Sequence, residues 1–366
     1  MRARVLMAEP GLPHYRVALF ESLRDGLLEH GVQFDFLHGP SGGNDLPWAR
    51  TLTTLRMPWG GKALWQPFDT TACDLVIVSH ENALLFNHWL SRPWRPFRLG
   101  LFGHGANLAA SSRQTAREHF KRFTLRRADW WFGYTTLSQR LAMEAGFPPE
   151  RITVVDNATD TIALRQEMAD TPDDQLKLLR QAQGLTPGHT GLFLGTMYAG
   201  KGLDRLIEAA ALVQCQDPAF VLLMVGDGPA RPAAQRATRD QAHIRWLGPL
   251  HGADKAALMA VSDFLCLPGA VGLAIVDAFA AGLPLLTTDA PGHGPEIAYL
   301  EPGRNGDITP PDTRAYADAV LGLLRDPLRL RQWRDRAASD GRRYTVQAMA
   351  SRFGQGILES LAHPRR

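Results

Sequence analysis

The stretch from Ser262 to Gly306, SDFLCLPGAVGLAIVDAFAAGLPLLTTDAPGHGPEIAYLEPGRNG, reads as strand, turn, helix, strand and a second glycine-rich loop. Asp263 to Leu267 is a short apolar strand that stops at the turn signal Pro268-Gly269. Leu273 to Ala281 is apolar on nearly every side, with the carboxylate of Asp277 set inside it. Gly282 is a helix stop, and Pro284 cannot continue the helix. Backbone amides near Gly272 and Leu273 open that helix and are placed to hold an anion such as a phosphate. Asp277 lies one turn farther along, ~5 Å, which matches the separation between a nucleotide's phosphates and its ribose hydroxyls. The stretch reads as part of a nucleotide site.

Size and composition set the frame around it. A chain of 366 residues predicts two domains, and 45% apolar with 21% charged residues is the balance of a soluble globular protein. No segment approaches the ~18 uninterrupted apolar residues of a membrane span. The start, MRARVLMAEPG, has too short an apolar core for a signal peptide. Cys73, Cys215 and Cys266 are far apart in apolar contexts and read as free thiols of a reducing compartment. A cytoplasmic protein is expected. A net charge of +3 is too mild to imply nucleic acid.

In the first half, strands at Val5–Ala8, Phe34–Leu37, Leu75–Ser79, Leu99–Gly103, Trp130–Tyr134 and Ile152–Val155 alternate with helical patterns, beginning with His14–Leu28. This order predicts a parallel sheet with helices on both faces, and ligands beyond the carboxyl ends of its strands. Three loops there carry chemistry: the one holding Gly11, Ser79-His80-Glu81-Asn82, and Gly103-His104-Gly105. His104, between two glycines, suits donation to a phosphate or acceptance of a hydroxyl proton; the alternative is a histidine that only bonds its own turn. His80 is a weaker candidate of the same kind. His14, Tyr15 and Arg16 fit either an acceptor contact or a solvated helix start.

Arg113, Arg117, Lys121, Arg122, Arg126 and Arg127 fall mostly at helical spacing, with Phe120 and Phe123 between them. Residues 113–127 read either as a basic amphipathic helix for an anionic membrane surface or as a solvated charged face over an apolar underside. Trp89, Arg92, Trp94, Arg95, Phe97 and Arg98 add to the first reading.

From Asp160 to His189 the strand pattern lapses, and the domains are expected at 1–165 and 189–345, with a linker over 166–188 and a final helical segment over 346–366. The second half opens a new series of strands: Gly191–Gly195, Phe220–Val225, Ile244–Leu247 and the opening stretch. Gly195-Thr196-Met197-Tyr198-Ala199-Gly200-Lys201-Gly202 nearly spells a P-loop. Gly202 stands where magnesium binding needs Ser or Thr, so a P-loop enzyme is set aside. Lys201 still puts a mobile cation at a helix start among small neighbours, a phosphate-binding arrangement.

The Gly-x5-Lys-Gly loop, the turn Val225-Gly226-Asp227-Gly228-Pro229, the strand end Trp246-Leu247-Gly248 and the 268–284 stretch occur in an order that resembles the retaining nucleotide-sugar glycosyltransferases of family 4, the group 1 family. The likeness is good over residues 191–306; Gly103-His104-Gly105 and the run Val155 to Asp160 extend it into the first half. It implies an α/β protein of two facing Rossmann-like domains (GT-B), with the C-terminal helix crossing back to the first. It also implies a metal-independent retaining hexosyltransferase of polysaccharide biosynthesis, without cofactor. A UDP- or GDP-linked sugar would be the donor, and a glycan or lipid-linked molecule the acceptor. Lys201 would bind the diphosphate beside Gly202 and the amides of Val271, Gly272 and Leu273. Asp277 would take the ribose, His104 would lie near the transferred sugar, and Gly11 and Thr196 would border the donor. Peripheral association with the inner face of the cell membrane accompanies this reading.

The chain departs from the family pattern in three places. The two glutamates eight positions apart are here Gly269 and Asp277, and the arginine often paired with the loop lysine is Thr196. His293 and Glu296, in the second loop, are expected to compensate; the alternative for Glu296 is a helix cap. Two other functions fit the same fold: a nucleotide-sugar 2-epimerase, and a non-catalytic protein that holds a nucleotide or glycan.

Overall fold

The computed structural model describes residues 2–40, 43, 46–57, 63–105 and 116–365, the side chains of 116 and 117 excepted. Residues 113–115 of the basic segment lie outside this range, as does the side chain of Arg117. The chain divides into two compact units, residues 1–157 with 346–366, and residues 158–345.

The first unit holds β1 (Arg4–Glu9), α1 (Val17–Glu29), β2 (Gln33–His38), β3 (Arg50–Thr51), β4 (Leu55–Arg56), β5 (Leu64–Trp65), β6 (Leu75–Ser79), α2 (Leu85–Leu90), β7 (Arg98–Gly103), α3 (Ala116–Leu125), β8 (Trp130–Gly133), α4 (Thr136–Glu144) and β9 (Ile152–Val154). Its seven-stranded sheet runs β3-β2-β1-β6-β7-β8-β9, with every ladder parallel; β4 and β5 form a separate antiparallel pair. Central strands buried on both faces read as unbroken apolar runs, as in LVIVS of β6 and WWFG of β8.

The second unit holds α5 (Thr161–Asp170), α6 (Asp173–Gln183), β10 (Thr190–Leu194), α7 (Leu203–Gln216), β11 (Val221–Val225), α8 (Arg231–Ala237), β12 (Ile244–Gly248), α9 (Gly252–Ala260), β13 (Phe264–Leu267), α10 (Ala274–Ala280), β14 (Leu285–Thr288), β15 (Gly306–Thr309), α11 (Thr313–Leu324) and α12 (Pro327–Gly341). Six parallel strands are ordered β12-β11-β10-β13-β14-β15. The order reverses direction between β10 and β13, and in the first unit between β1 and β6. Both units are Rossmann-like, and in such sheets the reversal opens a crevice past the strand ends.

The segment expected to be a linker, 166–188, is mostly helical: it contains the end of α5 and all of α6. Its apolar stripes are too thin to show as periodicity, since α5 buries only Thr161 and Leu164, and α6 buries nothing. The end signals are nevertheless present. Asp160 caps α5 through the amide of Ala163, and Gly184 ends α6 with φ 65°. Residues 158–165 likewise pack with the second unit, where the expected division at 165 placed them in the first.

The chain returns to the first unit as α13 (Val346–Ala362). Val346, Met349, Ala350, Phe353, Gly356, Ile357 and Ser360 form one buried stripe at helical spacing. Phe353 is fully buried, stacked on Phe132 of β8 at 4.5 Å and edge-on to Phe102 of β7 at 5.2 Å. At Gly356 a Cβ would collide with Thr153, so the helix can lie this close to β9 only with glycine there. Phe353→Ala should destabilise the protein by about 3–5 kcal/mol, the cost of an aromatic-sized core cavity, seen as a lowered urea midpoint at constant slope.

Candidate functional site

In the second unit the carboxyl ends of β10 and β13 feed two loops that touch. The loop after β10 ends in a short 3-10 turn, Ala199–Lys201, and Gly202 then takes the left-handed conformation (φ 65°) to start α7. The loop after β13 passes directly beneath: Ala270 N–H donates to the Gly200 carbonyl at 2.8 Å. A Cβ on Gly269 would collide with the backbone of Gly200 and Lys201. Glycine at 269 is therefore a packing requirement. The space a glutamate side chain would need at its root is filled by the lysine loop.

Lys201 is buried, and its ammonium donates to the Ala270 carbonyl at 2.5 Å. Burial pushes its pKa down, and the nearby charge of Glu296 works against that. Arg205, one helical turn past Lys201, donates to the Pro268 carbonyl at 3.1 Å and brings a second cation to the same loop. Sequence reading missed it, although its i+4 spacing from Lys201 was the available signal. Thr196, where the resemblance leads one to expect an arginine, is exposed, and the neighbouring Met197 is tied to the Asp227 carbonyl by its amide.

The second glycine-rich loop closes over this pair. Val271 N–H donates to His293 Nδ1 at 3.1 Å, and the Val271 carbonyl accepts from Gly294 N–H at 2.6 Å. With Nδ1 accepting, the ring proton sits on Nε2, which donates to the Thr288 carbonyl at 2.9 Å. Burial lowers the His293 pKa and keeps the ring neutral. The structure thus brings Lys201, Gly269, Val271, His293 and Glu296 together, with two corrections. The Val271 amide is spent on His293 and is not open to a phosphate. His293 has both nitrogens committed, so it positions the 271–273 backbone and does not stand in for a missing sugar contact. Glu296 is buried in the 3-10 turn Pro295–Tyr299 beside Gly294. The amides of Gly272 and Leu273 have no acceptor among the described residues, and the space around Gly272 is open.

Asp277 is also committed. Its Oδ1 accepts from Thr159 Oγ1 at 2.6 Å, and its Oδ2 from Lys255 Nζ of α9 at 2.8 Å. The carboxylate expected at a ribose joins α10 to α9 and to the entry of the unit, and a ribose would have to share it.

In the first unit the corresponding reversal lies between β1 and β6. There the structure holds a cavity of about 570 Å³ lined by Glu9, Gly11, Arg16, Glu81, His104 and Tyr134, among others. Gly11 and His104, both singled out from sequence, meet here. His104 stands edge-on to Tyr134 at 4.7 Å. Its ring is exposed at the cavity mouth, yet the protein around it and the cations Lys121 and Arg16 push its pKa down to about 4, leaving a neutral imidazole. His80, by contrast, is buried and bonded to Thr124 Oγ1 at 3.0 Å, outside the lining.

Two parallel-sheet units, each with reversal-point loops of this kind, define the GT-B class of two-domain fold. Solved structures agree on the fold: HepE of Anabaena in complex with UDP (TM-score 0.71, 19% identity, 97% of this chain and 99% of that one). A glycosyltransferase from Rickettsia africae is similarly close (TM-score 0.72, 13% identity, 99% and 100%). Residues 188–326 match the family model for Glycosyl transferases group 1. Phosphatidyl-myo-inositol mannosyltransferase of Mycobacterium leprae is 33% identical over 182 residues, 48% of this chain and 47% of that protein. The chain thus covers about half the length of the curated relatives it matches.

Gly269→Glu, the residue the resemblance leads one to expect, should lower stability by about 1–3 kcal/mol through overpacking against Gly200 and Lys201. An unchanged urea midpoint would show that the lysine loop yields instead.

Proposed function

We propose that the protein is a metal-independent, retaining glycosyltransferase that moves a hexosyl group from a UDP- or GDP-linked sugar to a glycan or lipid-linked acceptor in polysaccharide biosynthesis. One observation carries the reading: at the β10/β13 reversal the buried Lys201 ammonium bonds the Ala270 carbonyl, on the same loop as the amides of Gly272 and Leu273, which have no acceptor among the described residues, all within the family-matched stretch. A diphosphate there exchanges the Ala270 carbonyl for phosphate oxygens. It also favours the charged lysine that burial disfavours. As the sugar–phosphate bond breaks, negative charge grows on the leaving diphosphate, and Lys201 with the two amides stabilises it without reorganising. No side chain at Gly269 grips the sugar, so orientation falls to the loop that His293 and Glu296 organise. A 2-epimerase or a non-catalytic binder would share the nucleotide end of this site and differ in turnover.

Lys201→Ala should cost donor turnover about 100-fold or more in kcat/KM, with thermal stabilisation by UDP or GDP lost in parallel. Mass spectrometry of a nucleotide-sugar screen checks it. Nucleotide binding without release of nucleotide from any donor would remove the transferase reading.

A membrane-peripheral location is part of this proposal, supported by the inverted packing of α3. The helix buries Glu118 and Lys121, 2% and 8% exposed, leaves Arg122 half-exposed, and turns its aromatics outward, with Phe120 43% and Phe123 52% exposed. The solvated-face reading requires the opposite. Phe120 touches His88 of α2 at 4.7 Å, which joins it to a patch with the exposed Trp89 and its stacked partner Arg92. Arg127 covers Phe123 at 4.4 Å. Aromatics rimmed by arginines suit an anionic headgroup layer. Wild-type protein should co-sediment with phosphatidylglycerol vesicles at low salt, and Phe120→Ser/Phe123→Ser should reduce the bound fraction severalfold. Failure of the wild type to co-sediment would end this part of the proposal.

A further inference from the structure

Tyr198 stands beside Lys201, and the proposed chemistry gives it no part. Its backbone is extended (φ −137°, ψ 167°) immediately before the 3-10 turn Ala199–Lys201, and its carbonyl accepts from the Lys201 amide at 2.9 Å. In a 3-10 turn the side chains of residues i and i+3 eclipse one another, so this turn sets the Tyr198 ring and the Lys201 side chain on one side of the loop. The ammonium lies 5.7 Å from the ring centroid, within the ~6 Å reach of a cation over an aromatic face. Gly200 makes the approach possible. A Cβ there would meet a ring carbon at 2.7 Å, and the three atoms nearest to it all belong to the Tyr198 ring. The ring lies across the bare backbone of Gly200.

What the ring supplies differs in kind from what the other neighbours of Lys201 supply. The Ala270 carbonyl takes one of the three ammonium protons. Burial disfavours the charged form, and the charge of Glu296 favours it. An aromatic face favours the charged form as well, through the ring quadrupole, and the attraction is strongest where water is excluded, as it is around this buried lysine. A carbonyl or carboxylate in the ring's place would hold the cation by accepting an N–H. The π face holds it and leaves the N–H groups to other acceptors. Tyr198 is itself exposed, and the contacts that place it are made by its ring.

We propose that Tyr198 is a positioning residue: its ring holds the Lys201 ammonium charged and in place against the loop after β13, and leaves the ammonium's N–H groups for an anion. The contact follows from the turn itself; its consequence for the donor rests on the glycosyl-transfer reading. When a diphosphate displaces the Ala270 carbonyl, the ring keeps its hold on the cation, and the lysine changes partner without losing its place. Affinity for a nucleoside diphosphate falls as pH rises through the pKa of Lys201, because the neutral amine no longer attracts the phosphates. Without the aromatic face that fall begins at lower pH.

The test follows Lys201 directly, by NMR titration of its Cε resonance in the full chain without nucleotide, assigned by its absence from Lys201→Ala. Tyr198→Phe keeps the face and titrates as the wild type does. Tyr198→Leu keeps apolar cover without the face, and Gly200→Ala keeps the tyrosine but pushes its ring off the turn; both titrate at lower pH. The Kd for UDP and for GDP is then measured across pH. At the alkaline end it should rise about three- to tenfold in Tyr198→Leu and stay within about twofold of the wild type in Tyr198→Phe. A Lys201 titration in Tyr198→Leu equal to that of the wild type, or moved to higher pH, overturns the proposal. So does a shift in Tyr198→Phe as large as that in Tyr198→Leu, which would assign the effect to the hydroxyl. The expected Lys201 titrations in a protein that binds neither UDP nor GDP uphold the role of the ring and remove the nucleotide reading alone.

Discussion

The close approach of two backbones at the β10/β13 reversal governs the second unit's chemistry. The Gly200–Lys201 turn lies on the Pro268–Ala270 loop at a distance that admits no Cβ at Gly269, and one amide-to-carbonyl bond from Ala270 to Gly200 holds the pair. That contact buries Lys201 against the Ala270 carbonyl and removes the place where a sugar-gripping carboxylate would root. Presence of the cation and absence of the carboxylate have one cause.

The polar groups around it are largely used to fix backbone. His293 clamps Val271 to Thr288, and Asp277 ties α10 to Lys255 and Thr159. What remains for a ligand is backbone amide, a buried ammonium and open space at Gly272. Backbone amides fixed in this way act through position, while the ammonium has to give up the Ala270 carbonyl to meet a ligand. The first unit's reversal is built differently. It keeps a Glu9 carboxylate oxygen without a partner among the described residues and lines the same cavity with Arg16.

Two features run against simple amphipathic logic. Helix α3 puts Glu118 and Lys121 inside and Phe120 and Phe123 outside. Glu9 places a carboxylate at the end of a strand whose Val5–Ala8 run is apolar core. Both involve ionisable groups whose environment comes from elements distant in sequence; one borders the cavity of the first unit and the other an exposed aromatic patch.

The strands and most helices were legible in the sequence, because parallel strands buried on both faces must be continuous apolar runs and their turns must carry glycine or proline. The order of motifs around Lys201 and the 268–284 stretch likewise marked residues that the β10/β13 reversal brings together. Helices α5 and α6 were not legible, since they bury almost nothing and leave no periodic mark. Neither were the commitments of Val271, His293 and Asp277, nor the settings of Glu9 and Arg205. A sequence shows which groups can donate and accept. Which partner each group meets depends on contacts between residues far apart in the chain, and only the folded sheet brings those together.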